Sequence, residues 1–160
     1  MYAHGKLING PGNILYTVNG GALAYSSNVT NGVYNWMYTG YDNPIYMYPV
    51  SSIYGSTIDF YSELDYNNNA IAYTSVYDGN NNQVSYTVDY VWAKRIVFND
   101  KYKYDYSINH DGTAAHELGH ALGLPHNSST YSIMYATNQS RTVQKPQKVD
   151  NDRIIEIYGR

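Results

Sequence analysis

Cysteine is absent from this chain, so it can form neither a disulfide nor a thiolate metal site. Charge is scarce as well: Asp, Glu, Lys and Arg together make up 14% of the residues, and the formal net charge is −3. A weakly acidic chain without a basic patch gives no support to nucleic-acid binding. No apolar run approaches the length of a membrane span. The opening segment Met1-Tyr2-Ala3-His4-Gly5-Lys6 lacks a hydrophobic signal region, so any targeting segment is expected to have been removed or never to have existed. Low-complexity linkers, internal repeats and long like-charge runs are also missing, and 160 residues can bury a sizeable core. A single domain over 1–160 is therefore expected. Tyrosine, in contrast, is abundant at 21 residues. A polar, uncharged, tyrosine-rich surface without cysteine suits a secreted, extracellular protein. The sequons at Asn28, Asn127 and Asn138 are read as incidental, because they matter only in a eukaryotic secretory pathway.

The histidines are not scattered. Three of the five fall in His116-Glu117-Leu118-Gly119-His120-Ala121-Leu122-Gly123-Leu124-Pro125-His126, which reads H-E-x-x-H-x-x-G-x-x-H. Chance assembly of these five fixed positions has a probability on the order of 10⁻⁵. On a helix, His116 and His120 stand one turn apart on one face, so both imidazoles can reach one ion. Glu117 sits beside the first ligand, where it can hold a water on that ion. Gly123 is suited to a left-handed helix end, Pro125 forbids continuation, and the chain can turn back to bring in His126. Three protein ligands leave a position open for water, the arrangement of a catalytic Zn2+. A purely structural zinc needs a fourth protein ligand and leaves Glu117 without a role. Histidines lying idle on a helix surface leave the whole pattern without one.

Coarse patterning places strands at Ile14–Val18, Ile45–Tyr48, Thr57–Tyr61, Ala70–Thr74 and Ala93–Asn99. A helix is expected within Tyr25–Tyr38, capped by Ser26 or Ser27, and the motif helix is expected to start at Asp111 or Thr113. This order favours an α+β fold built on a mixed sheet. His110-Asp111 offers a weak second metal site, but a loop histidine followed by a cap residue is the preferred reading. His4 is uninformative. Asp78-Gly79-Asn80-Asn81-Asn82 carries oxygen ligands for Ca2+ without EF-hand spacing, and a polar turn explains it too.

With these residues in place the chain resembles the metzincin clan of zinc endopeptidases. Ser132-Ile133-Met134-Tyr135 stands where that clan has its methionine turn, and the resemblance implies that Met134 floors the metal without binding it. Within the clan it is similar to the matrixins, especially small bacterial ones. Tyr135 directly follows Met134, Ala136 replaces the tyrosine ligand of other metzincins, and Ile157-Tyr158-Gly159 closes the C-terminal segment. Asn127 departs from the serine usual after the third histidine. The resemblance implies a twisted, mostly parallel sheet with an antiparallel edge strand, an upper part of about 1–123 and a smaller lower part of about 124–160. It also implies that the edge strand, here Ala70, Ile71 and Ala72 onward, pairs with extended substrate, and that Tyr131 and Tyr135 help shape the pocket beyond the scissile bond.

The function implied is hydrolysis of internal peptide bonds of protein or peptide substrates by a secreted, monomeric bacterial enzyme. The proposed ligands are His116, His120 and His126, with Glu117 as the base. Matrixins often bind calcium, so the resemblance also admits Ca2+ beside the zinc. Two other classes stay open: a catalytically silent zinc-containing module for cell-surface or glycan ligands, and a zinc hydrolase acting on other bonds. An intact Glu117 argues against the first.

Overall fold

The computed structural model describes residues 5–85, 90–91 and 93–160, so His4 lies outside it. In chain order the elements are β1 (Lys6–Leu7), β2 (Ile14–Val18), a 3₁₀ turn (Gly20–Tyr25), α1 (Ser26–Met37), β3 (Met47–Pro49), β4 (Ile58–Glu63), β5 (Ala72–Tyr77), β6 (Gln83–Val84), β7 (Tyr90–Val91), β8 (Ala93–Asn99), α2 (His110–Ala121) and α3 (Lys148–Tyr158). Six strands form one sheet in the order β3-β2-β4-β8-β5-β6. The β2–β3, β2–β4 and β4–β8 pairs are parallel, whereas β5 runs antiparallel to both β8 and β6. The short pair β1–β7 is parallel and separate. The expected α+β sheet, mostly parallel with an antiparallel edge, is what the chain forms, and the short β6 pairs outside β5 at that edge.

Two of the strands match the sequence reading at both ends, β2 and β8. The others slide by one or more residues, and the largest slip matters for the site: the strand expected at Ala70–Thr74 is Ala72–Tyr77. Ala70 is drawn out of the strand because its N–H is taken by the Asn68 side chain at 2.9 Å, which ends the preceding turn. Alternation along the sheet sends Ile14, Tyr16, Ile58, Phe60, Ile96, Phe98 and Val76 into one core with both long helices.

The helices cross at small residues. A Cβ added to Gly32 of α1 would stand 3.0 Å from Ala114 Cβ and 3.1 Å from Ala115 N, so the backbones meet there in close contact. Trp36 locks the crossing by donating its Nε1–H to Ala115 O at 2.7 Å. The expected caps are corrected. The 3₁₀ turn runs straight into α1, and Ser26 donates to Leu23 O instead of capping. For α2 the cap is Asn109, whose Oδ1 accepts from Gly112 N at 2.9 Å. Asp111 is unavailable because Asn28 and Asn31 of α1 both donate to its carboxylate.

Candidate active site

Residues 112–121 of α2 are all buried, so this helix lies within the core with polar groups that must all find partners. It ends as the glycine predicts. Gly123 takes φ +103°, its N–H reaches His120 O at 3.0 Å, and Leu124 N–H reaches Gly119 O at 2.9 Å, a Schellman closure. The chain then reverses and carries His126 back to the helix. The ligand nitrogens of His116, His120 and His126 all lie within 4.8 Å of one another.

The imidazoles are aimed by backbone carbonyls. His116 Nδ1 lies 2.7 Å from Ile133 O and His120 Nδ1 lies 2.8 Å from Leu124 O. A carbonyl can only accept, so each Nδ1 carries the proton and leaves Nε2 with its lone pair for an ion. His120 Nε2 and His126 Nε2 are 3.1 Å apart. Two nitrogens at zinc–nitrogen bond lengths in a tetrahedral shell stand about 3.3 Å apart, so the donor set fits zinc. Burial holds His116 well below the usual histidine range, at about 4, and also lowers His126. Neutral rings are the ligating form.

Met134 lies beneath the helix at Gly119, where a Cβ would come within 2.2 Å of its sulfur and 3.1 Å of Trp36 Cζ2. Its turn is fixed from α3. Asp150 accepts from Ser132 Oγ, from Ile133 N at 3.1 Å and from Gln147 N at 2.8 Å, so the carbonyl that orients His116 is tied to the closing helix. Glu117 is buried beside the ligands. Thr74 of β5 donates to its Oε2 at 2.6 Å, with a longer contact of 3.1 Å to its carbonyl oxygen. Loss of water around the carboxyl pushes it up to about 7, and the Thr74 hydroxyl and Arg141 pull against that rise.

The three histidines, Glu117, Thr74 and Arg141 border a cavity of about 440 Å³. Residues 51–159, more than half the chain, match the family model described as Matrixin. This chain belongs to the matrixin family. A stretch of 55 residues, 33% of the chain, is 44% identical to a matrilysin of Felis catus. The chain spans about a fifth (21%) of that relative's length.

Of the residues singled out from the sequence, His116, Glu117, His120, His126, Ala70, Ile71 and Ala72 border this matrixin's cavity. Tyr131 and Tyr135 do not: Tyr131 is 71% exposed, and Tyr135 bridges back to Asn127. Asp78 spends its carboxylate on Asn80 N and Asn82 N of its own turn, each at 2.9 Å, and nothing there supports calcium. His110 and Asp111 share no metal-binding cluster among the described residues. Thr74, Asp150 and Arg141 carry interactions that no local pattern announced, since their partners are distant in sequence or are ordinary polar neighbours.

Proposed function

We propose that this matrixin is a zinc-dependent endopeptidase that cuts extended protein substrates at internal peptide bonds. The observation that carries the reading is the placement of Glu117. Its carboxyl is buried beside three converging histidines, clamped by Thr74, and faces a cavity large enough for substrate.

His116, His120 and His126 would hold the ion. Zinc bound there supplies Lewis acidity, which lowers the pKa of a water and polarises a carbonyl. The protein's own share of the work follows from its geometry. Glu117 accepts the proton of the attacking water and returns it to the departing amine. A carboxyl held near neutrality by burial can do both. Thr74 fixes Oε2, so the other oxygen is left to meet the water. β6 pairs with β5 through Val76 and Tyr77, leaving the Ala72–Ser75 edge of β5 for an extended peptide beside the cavity. Main-chain pairing of that kind binds peptides without fixing their side chains.

The continuous core joining Leu7 to Ile154 supports one catalytic unit over residues 1–160, and we take that unit to act as a monomer. No helix among the described residues is long and apolar enough to cross a membrane. Action outside the cell accords with family habit and with a chain free of cysteine.

The test is casein cleavage by the wild type and Glu117→Ala, with zinc content measured for each. The expected result is one zinc in both and a loss of at least about 10²-fold in turnover in the variant, with chelation abolishing the wild-type activity. Near-normal hydrolysis by Glu117→Ala would overturn the role of Glu117. Zinc binding without cleavage by either protein would favour a silent binding module.

A further inference from the structure

Arg141 is a buried cation in the wall of the same cavity as Glu117. Its guanidinium is pressed against the first turn of α2: a Cβ at Gly112 would stand 2.9 Å from its Nη2. Gly112, His116 and His120 follow one another at four-residue spacing on one helix face, so Arg141 sits one turn along from the metal-ligand positions. A guanidinium buried this deeply would ordinarily be matched by a carboxylate. Among the described residues no carboxylate lies within 4.0 Å of it, and the Glu117 carboxyl in the same cavity feels its charge only from beyond contact. Its acceptors are neutral: Nε donates to Val143 O at 3.1 Å, and Nη2 donates to Asn138 Oδ1 at 3.0 Å and Gln144 Oε1 at 3.3 Å. The Nη1 group donates to nothing among the described residues, and it is not sealed from solvent. Asp111, the nearby acid of the first turn, is turned toward α1 and held by Asn28 and Asn31. The cavity wall around Arg141 is polar as well, with Thr113, Thr137, Asn138 and Gln139.

We infer that Arg141 is a specificity-determining residue, whose open Nη1 edge receives the carboxylate of an Asp or Glu side chain of the substrate next to the cleaved bond. A charged acceptor entering this cavity gains a charge-assisted hydrogen bond that a neutral isostere cannot match. An aliphatic side chain there would cover the guanidinium without satisfying it. The hydrogen bonds within residues 138–144 preset the orientation of the fork, so little ordering remains at binding. The inference rests on the peptidase reading above.

The test is cleavage of a peptide library by the zinc-loaded wild type, Arg141→Gln and Arg141→Lys, with cut sites read by mass spectrometry. It is followed by kcat/KM for matched peptides carrying Glu or Gln at the favoured position. The wild type is expected to enrich acidic residues at one position flanking the cut, and to prefer Glu over Gln by at least about tenfold. In Arg141→Gln that preference should fall to within about twofold while Gln peptides are still cut. Arg141→Lys should keep part of the preference, which a merely structural role for the loop would not predict. Wild-type cleavage without acidic enrichment overturns the proposal whatever the variants do, as does enrichment that survives intact in Arg141→Gln. A wild type that cuts neither library nor casein overturns the peptidase reading, and this inference with it.

Discussion

Gly119→Ala separates two physical accounts of the motif by sign. Seen as a helix residue alone, Gly119 costs stability, and alanine should recover about 1 kcal/mol. The packing around it says otherwise. The added Cβ would lie 2.2 Å from Met134 Sδ and 3.1 Å from both Met134 Cε and Trp36 Cζ2. Comfortable contact begins near about 3.5 Å, so the sulfur must retreat by more than about 1 Å. Methionine is flexible, yet Met134 is buried and Trp36 is pinned by its bond to Ala115 O. Overpacking of this kind costs about 1–3 kcal/mol, which exceeds the propensity gain. With a mid-range cost of about 2 kcal/mol set against the gain of about 1 kcal/mol, the expected outcome is a net loss of about 1 kcal/mol, seen as a melting temperature lower by about 3 °C for a chain of this size. Metal uptake should weaken too, since His116 and His120 flank Gly119 and the Met134 turn carries the carbonyl that aims His116. Thermal and urea unfolding of the metal-free and zinc-loaded proteins would measure both effects. A second arm uses Met134→Ala: if the clash is the cause, Gly119→Ala should cost at least about 1 kcal/mol less in that background. A Gly119→Ala protein as stable as the wild type, or more so, would refute the packing argument.

Other expectations follow from single contacts. Thr74→Val removes the hydroxyl that donates to Glu117 and lowers its pKa, so kcat/KM should fall about tenfold and the acid limb of its pH profile should move to higher pH; an unmoved limb would deny Thr74 this role. Lys94 is fully buried, and loss of hydration brings its ammonium down to about 7 from the ordinary 10.5. Between these values the unfolded chain binds more protons than the folded one, so stability should rise with pH from about 7 to 9, at up to about 1.4 kcal/mol per unit. Lys94→Met should flatten that slope in urea unfolding across the window, and an unchanged slope would assign it to another group.

The motif was legible because its geometry is local. Spacings of four and ten residues around a glycine and a proline fix which side chains share a face and where the helix stops, whatever the remaining chain does. β2 and β8 were legible for a similar reason, as compact apolar runs with abrupt ends. The start of α2 was not. Asn109, Asp111 and Thr113 can each cap a helix, and the choice is made by Asn28 and Asn31 some 80 residues away, which occupy Asp111. Lys94-Arg95 presents a different ambiguity. In a strand one of two adjacent charges must face inward, and nothing local says which; register against β4 and β5 sends Lys94 to the core and Arg95 outward, over the rings of Tyr61 and Tyr77. Arg141 sits in a polar stretch that reads as surface, and only the fold shows it against Gly112.

These hidden charges share a location, and that location is itself informative. Lys94 reaches toward His120 O at the C-terminal end of α2, Glu117 lies at its middle, and Arg141 lies at its first turn. Below about pH 7, where it keeps its proton, Lys94 complements the partial negative charge of the helix end. Glu117 and Arg141 have no such excuse: stability alone would favour apolar residues of their size at both positions. A helix buried on every side, with a carboxyl pushed toward neutrality and a cation facing neutral acceptors across one cavity, is a poor solution for a core. It is a good one for a site that must move a proton at Glu117 and meet a substrate charge at Arg141. The two energetic anomalies therefore point to one surface, where each partly offsets the other and a peptide filling the cavity is expected to ease what remains.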